Sequence, residues 1–226
     1  MYTLHIANKN YSSWSLRPWV LMRELRIPFT ESLIPFHLEA EWAAYRRIAP
    51  NGKVPCLVDG DITAWESLAI VEYLAERHAG VWPDAAAARA WSRSAAAEMH
   101  AGFTELRSRC SMTCGVRVRL NSMPAGLTAD LSRITALWND GLDHFGGPFL
   151  AGAAFSAADA FFAPVVFRIQ TYQLEVEPVS QAYVERLLNL ESMRSWYAEG
   201  LREPWRDEPH EREVAQNGQV IKDYRA

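Results

Sequence analysis

The sequence predicts an α/β unit followed by an all-helical unit. Two observations lead to this. Over the first 80 residues, strand-like and helix-like patterns alternate in the order β-α-β-α-β-β-α, and from residue 86 to residue 226 the patterns are mostly helical. Between them Val81-Trp82-Pro83-Asp84 reads as a linker. A chain of 226 residues with 49% hydrophobic content has material for two small domains, here 1–80 and 86–226.

Each element has its own signal. Residues 3–7 are a short apolar run, a first strand, and residues 8–13 are polar and turn-like. Residues 15–25 carry Leu16, Trp19, Val20 and Leu25 near helical spacing. Pro18 stands early in that segment, where a missing N–H is tolerated. Residues 30–36 alternate as a second strand; residues 39–48 read as a helix stopped by Pro50-Asn51-Gly52. Residues 54–58 and 62–64 flank Asp59-Gly60-Asp61 as a hairpin, and residues 66–77 form a helix with Leu68, Ala69, Val71 and Leu74 on its apolar side. Beyond the linker an alanine-rich stretch opens the helical part, because alanine is the best helix former. Breaks fall at Pro124-Ala125-Gly126, Gly146-Gly147-Pro148, Gly152 and Pro178.

Composition excludes several classes of function. A net charge of −4 does not suit a nucleic-acid surface, which relies on basic patches. No apolar run is long enough to cross a membrane, and the opening residues carry no secretory signal, so the expected home is the cytoplasm. Cys56, Cys110 and Cys114 are too few for a disulfide framework and read as reduced structural thiols. The spacing of Cys110 and Cys114 would put them on one face of a helix. The six histidines, His5, His37, His78, His100, His144 and His210, show no metal-ligand spacing and read as structural or exposed; no metal is expected.

The motifs narrow the choice of fold. Asn51-Gly-Lys-Val-Pro-Cys-Leu followed by Glu66-Ser-Leu-Ala-Ile-Val-Glu-Tyr-Leu resembles the N-terminal domain of cytosolic glutathione transferases, and the likeness extends over nearly the whole chain. It implies a thioredoxin-like βαβαββα domain and an all-helical C-terminal domain, glutathione as co-substrate, and a homodimer. It also implies that Val54-Pro55 is a cis pair, with the backbone of Val54 meeting the peptide backbone of glutathione. Glu66 and Ser67 would hold the γ-glutamyl end at a helix start, where free N–H groups and the dipole suit a carboxylate. Lys53 would meet the glycyl carboxylate or the peptide backbone. Without the family, the same residues read as an edge-strand proline, a helix cap with a first-turn acid, and a surface lysine.

The loop Asn10-Tyr-Ser-Ser-Trp-Ser-Leu-Arg-Pro-Trp is similar to the Ser-Ser loop of zeta-like and bacterial serine-type transferases. The likeness implies Ser12 as the catalytic serine, with Ser13 and Tyr11 as alternatives. A serine hydroxyl is too weak an acid to serve as a base. It can donate a hydrogen bond that favours thiolate over thiol, a charge-assisted bond giving about 1.5–3 kcal/mol. The loop has no cysteine, which excludes thioredoxin-type redox chemistry and the cysteine-using omega transferases. Ser156 with Asp159 is a capping box in which Asp159 is structural, and Phe155 with Phe161 or Phe162 suggests a hydrophobic staple. Trp14, Met99, Phe103 and Met112 are candidates for an apolar acceptor site. The expected activity is conjugation of glutathione to small, apolar electrophiles, as in detoxification. The alternatives are a glutathione-dependent isomerase of the maleylacetoacetate type and a non-catalytic binding protein of the same fold. The residues after 204 are polar, and the sequence leaves open whether they pack or fray.

Overall fold

A computed structural model describes residues 1–36 and 38–225; His37 and Ala226 lie outside the described residues. The first seven elements follow the predicted order: β1 (Tyr2–Ile6), α1 (Ser13–Glu24), β2 (Phe29–Leu33), α2 (Glu39–Tyr45), β3 (Cys56–Asp59), β4 (Ile62–Trp65) and α3 (Ser67–Ala75). The strands form one mixed sheet in the order β2-β1-β3-β4. β1 runs parallel to β2 and antiparallel to β3, and β3–β4 is the antiparallel hairpin. Alternate residues of a strand face opposite sides, so the sheet divides its neighbours. Leu4, Ile6 and Leu57 join α1 and α3 in the main core, while Cys56 faces the other way into a small cluster with Ile34, Tyr45 and Ala49 beneath α2.

The helical part comprises α4 (Ala86–Ala101), α5 (Thr104–Arg109), α6 (Ala125–His144), α7 (Ala157–Tyr172), α8 (Pro178–Leu188), α9 (Glu191–Arg202) and α10 (Glu208–Asn217). α7 runs through its centre, packed on α1 and α4, with all its residues except Gln170 buried. Its start is the capping box read from the sequence. The Ser156 side chain accepts from the N3 backbone, and Asp159 accepts from the Ser156 N–H at 2.9 Å. Phe155 meets Phe149 edge-on at 5.7 Å, a ring partner the staple pattern did not indicate.

Three features differ from the expectations. The helical domain also holds a two-stranded antiparallel sheet, β5 (Val116–Leu120) with β6 (Gly218–Asp223). Residues 205–225 therefore pack: α10 and β6 return across the molecule. Cys110 and Cys114 do not share a helix face. Cys110 caps the C-terminus of α5 and Cys114 lies in the following loop, both buried and unpaired. Burial pushes the Cys110 thiol up to about 12 and raises Cys114 as well, so neither is a ready nucleophile. Finally, α1 begins at Ser13, which places Pro18 in its second turn, where it cannot donate to the Trp14 carbonyl.

Candidate functional site

The loop between β1 and α1 is fixed by its own backbone and by groups from the far end of the chain. The Asn8 carbonyl accepts from the N–H of Tyr11 (3.1 Å) and of Ser12 (2.8 Å), folding the loop into a tight turn ahead of α1. The Asn8 side-chain oxygen accepts from the Phe36 N–H at 2.8 Å, tying the turn to the segment after β2. Glu203, buried just past α9, accepts from the N–H groups of Lys9 (2.6 Å) and Asn10 (3.2 Å). α9 approaches this closely because residue 200 is glycine: a Cβ there would lie 3.2 Å from the Asn10 nitrogen. The Asn10 side chain donates to Thr113 and accepts from the Gly115 N–H at 2.8 Å. The turn is thus closed locally by the Asn8 carbonyl, while the Asn8 side chain, Lys9 and Asn10 are held by groups distant in sequence.

A cavity of about 350 Å³ opens beside this loop. On the sheet side it is lined by Tyr11, Ser12, Ser13 and Trp14 at the start of α1, and by Gly52, Lys53 and Val54 ahead of β3. Phe36 and Trp42, stacked at 5.8 Å, close one end. The helical domain contributes Arg107, Ser111, Met112 and Arg168, and α10 contributes His210. Ser12 is the N-cap residue of α1 but makes no side-chain cap bond. Its hydroxyl donates instead to the Ser15 hydroxyl at 2.7 Å, and that oxygen also accepts from the Ala7 N–H. Ser13, the first residue of α1, is half-buried. The Tyr11 hydroxyl is committed elsewhere. It donates to Glu211 at 2.6 Å and accepts from Arg225 at 3.1 Å, and burial followed by that acidic partner pushes it up to about 12.

The predicted residues divide. Ser12, Ser13, Tyr11, Trp14, Met112, Lys53 and Val54 all reach the cavity, and the Val54–Pro55 peptide is cis. Glu66 and Ser67 are not among the lining residues. Ser67 opens α3 and is buried, receiving the Arg17 guanidinium at 3.5 Å. Glu66 is exposed and accepts from the Asn51 amide at 3.0 Å. Its backbone is left-handed, with φ 67°, a conformation costing about 1–3 kcal/mol in a non-glycine residue and concentrated at functional sites. Met99 and Phe103, the other candidates for an acceptor site, belong to the packed core and are not among the residues lining this cavity. Met99 is on the inner face of α4, and Phe103 is the left-handed residue that starts α5, so both side chains are spent on packing.

The cavity wall is not wholly apolar. Trp14 lies beneath two guanidiniums, Arg17 at 4.1 Å and Arg107 at 4.7 Å from the ring centre. Arg168 is buried in α7 and donates from Nε to the Cys110 carbonyl at 2.8 Å. Among the described residues no carboxylate is paired with Arg17 or Arg168. Burial, and then the other arginines, pull both below the usual guanidinium range, Arg168 to about 10. Arg107, Arg168 and His210 were not read from the sequence as site residues. An arginine on a helix gives no sign of facing inward. For His210, the run Asp207-Glu-Pro-His is an N-cap followed by a helix-starting proline, a signal that could have placed a helix there. Among the described residues no group of three or more His, Cys, Asp or Glu is placed to hold a metal ion.

The comparisons agree with this architecture. Residues 11–77 match the family model described as "Glutathione S-transferase, N-terminal domain". The chain is 28% identical over 191 residues to the glutathione S-transferase-like protein OpS6 of Beauveria bassiana, a match spanning 79% of this chain and 84% of that protein. Among solved structures it is similar to the theta class glutathione S-transferase of Xanthomonas axonopodis pv. citri with glutathione bound. That likeness has a TM-score of 0.64 at 25% identity, covering 87% of this chain and 96% of the other. A glutathione transferase homolog from Burkholderia GL BGR1, also with bound glutathione, gives a TM-score of 0.64 at 21% identity, covering 88% and 97%. The fold is that of glutathione transferases: a thioredoxin-like domain with a mixed sheet, joined to a helical domain. Over residues 11–77 the chain is similar to the N-terminal domain of glutathione S-transferases, and over most of its length it shares their fold.

Proposed function

We propose that this chain is a serine-type glutathione transferase that joins the glutathione thiolate to small electrophiles. The observation supporting it is the single cavity shared by Ser12, Lys53, Val54 and a wall of the helical domain. In this reading the peptide backbone of glutathione lies along Val54, and its glycyl carboxylate meets the Lys53 ammonium. Its γ-glutamyl end extends toward Glu66 and the start of α3, where Ser67 and Arg17 meet. The thiol comes to the start of α1. There the Ser12 hydroxyl, released from Ser15, donates to the sulfur and favours the thiolate. Tyr11 is the weaker alternative, since Glu211 and Arg225 already use its hydroxyl. Ser13 is the nearer one, being on the same turn and less buried.

The electrophile lies against Trp14 and Met112, with Arg107 and Arg168 beside it. That wall alters the expected substrate. A plain hydrocarbon electrophile makes no use of the two guanidiniums, whereas one bearing a nitro, carbonyl or carboxylate group gives their remaining N–H groups an acceptor. The two domains divide between residues 80 and 86. The exposed Ile62 and Trp65 on the edge strand β4 support a homodimer, and the sparse unpaired cysteines support a cytoplasmic home.

Glutathione binding by calorimetry, followed by conjugation of 1-chloro-2,4-dinitrobenzene, tests the reading. Ser12→Ala is expected to keep glutathione affinity within a few-fold and to lower kcat/KM by about 10- to 100-fold, the worth of one hydrogen bond to a charged sulfur. A wild-type chain that fails to bind glutathione refutes the reading. Binding without turnover of any electrophile favours the non-catalytic alternative, and turnover confined to cis–trans isomerisation of an unsaturated diketo acid favours the isomerase.

A further inference from the structure

Deprotonating a thiol requires somewhere for the proton to go, and the serine loop does not supply it. A hydroxyl can donate to a thiolate but cannot keep a proton at neutral pH. Lys53, Arg107 and Arg168 already carry their protons, and the Tyr11 hydroxyl is engaged by Glu211 and Arg225. Among the described residues lining the cavity, His210 is the one side chain of a type that takes up a proton near neutrality.

His210 is also built in. Its Nδ1 faces the Asp207 carboxylate at 2.5 Å, and its own backbone N–H donates to the same oxygen at 3.3 Å. Its ring stacks against Tyr11 at 5.1 Å and against Phe36 at 5.2 Å, the two planes tilted by 28° and 29°. The ring is thus held by its faces and by one nitrogen. A carboxylate on Nδ1 fixes the hydrogen there, which leaves the lone pair on Nε2. Nε2 has no protein partner among the described residues. Glu211, on the same helix, is neutralised by Arg225, and Glu213 receives the Ser111 hydroxyl at 2.7 Å. Lys53, Arg107 and Arg168 line the same cavity.

We infer that His210, positioned by Asp207, is the base that takes the proton from the glutathione thiol. The S–H bond breaks, the proton moves to Nε2, and sulfur keeps the electron pair as a thiolate held by the Ser12 hydroxyl. The thiolate forms the bond to the electrophilic carbon, the leaving group departs with its own bonding pair, and the imidazolium releases its proton to water. His210 is a catalytic residue in this step and Asp207 a positioning residue. The inference rests on the transferase reading above.

The test uses the full chain, with glutathione and 1-chloro-2,4-dinitrobenzene as probes. The ultraviolet absorbance of the bound thiolate is followed against pH, alongside glutathione affinity and kcat/KM. For His210→Gln the expected result is a fall of about a hundredfold in kcat/KM, near the lower end of what positioned bases contribute. Bound thiolate also falls at neutral pH, and affinity changes only a few-fold. Added imidazole restores activity to His210→Gly. Asp207→Asn keeps the cap of α10, since asparagine caps as well as aspartate, and reproduces part of the loss with a displaced pH profile. A His210→Gln chain that weakens glutathione binding while leaving the thiolate absorbance and pH profile unchanged overturns the inference and makes His210 a binding contact. Unchanged behaviour in every readout overturns it too. The thiolate absorbance decides the matter even for a chain that turns nothing over. A wild-type chain that binds no glutathione removes the transferase reading, and this inference with it.

Discussion

Asp159 is a carboxyl with no exposed surface and four hydrogen bonds: from the N–H groups of Leu150 and Ser156 and from the hydroxyls of Ser156 and Tyr183. Burial dominates, and the bonds only partly offset it, so the group is pushed up from 3.8 to about 6. An acid raised by folding binds its proton more tightly in the folded state. Its contribution to stability is therefore fully present below its ordinary value and is lost as the pH rises through about 6. Urea unfolding of wild type and Asp159→Asn checks this. The advantage of wild type should be larger by about 1 kcal/mol at about pH 5 than at about pH 7, and an advantage that grows with pH would contradict it. Asp159→Ala strands buried donors and should cost about 3 kcal/mol or more at either pH. The role of this residue was legible because its partner is local: Ser156 and Asp159 stand at capping-box spacing. Arg168, nine residues further along the same helix, was not legible as a cavity residue. Which face of α7 looks into the cavity is settled by α1 and by the loop after α5, and neither is encoded in the helix itself. Substituting Arg168→Met should reduce kcat/KM for a chlorodinitrobenzoate more than for the uncharged chlorodinitrobenzene; an equal effect on both would remove the polar acceptor wall from the reading.

At the scale of elements, the β1–α1 loop owes its shape to the segment from Glu203 to Arg225. Arg225 is largely buried and pairs with Glu211 and Asp223 while donating to the Tyr11 hydroxyl. Arg225→Met should leave β5–β6 paired but free the tyrosine. The expected outcome is faster hydrogen exchange at Tyr11 and Ser12 with little change at β1, read by mass spectrometry. Equal protection in both proteins would show that the turn stands without the strap. Gly200→Val should act on the same loop from below, because added atoms meet the Asn10 backbone. The N-terminal elements were legible because each has a local pattern: apolar alternation for the strands, Asp59-Gly60-Asp61 for the hairpin, and proline and glycine after α2. β6 was not. It is exposed at nearly every position, so it carries no apolar alternation, and its pairing partner β5 lies about a hundred residues earlier.

Across the whole molecule, one hydrophobic cluster runs from Leu4 in β1 through α1 and α7 to Val214 in α10. The two domains share this core, with α1 of the first packed on α7 of the second. Heat should therefore unfold both in one calorimetric transition, and residues 1–80 expressed alone should not hold native structure. Two resolved transitions would separate the domains energetically. The division at residues 81–84 marks a change of sequence pattern, not a change of core, because a chain pattern reports local periodicity and not which surfaces meet. The bond between Arg225 and Tyr11 joins residues 214 positions apart in the sequence. A ribosome adds residues in order, and nearly all of the shared core, up to Val214, is made before the last strand. The wall that carries Ser12, however, waits for Arg225. During synthesis this protein has a fold before it has a finished pocket, so nascent chains stalled before residue 225 should display a folded sheet with a slack, unfinished binding loop.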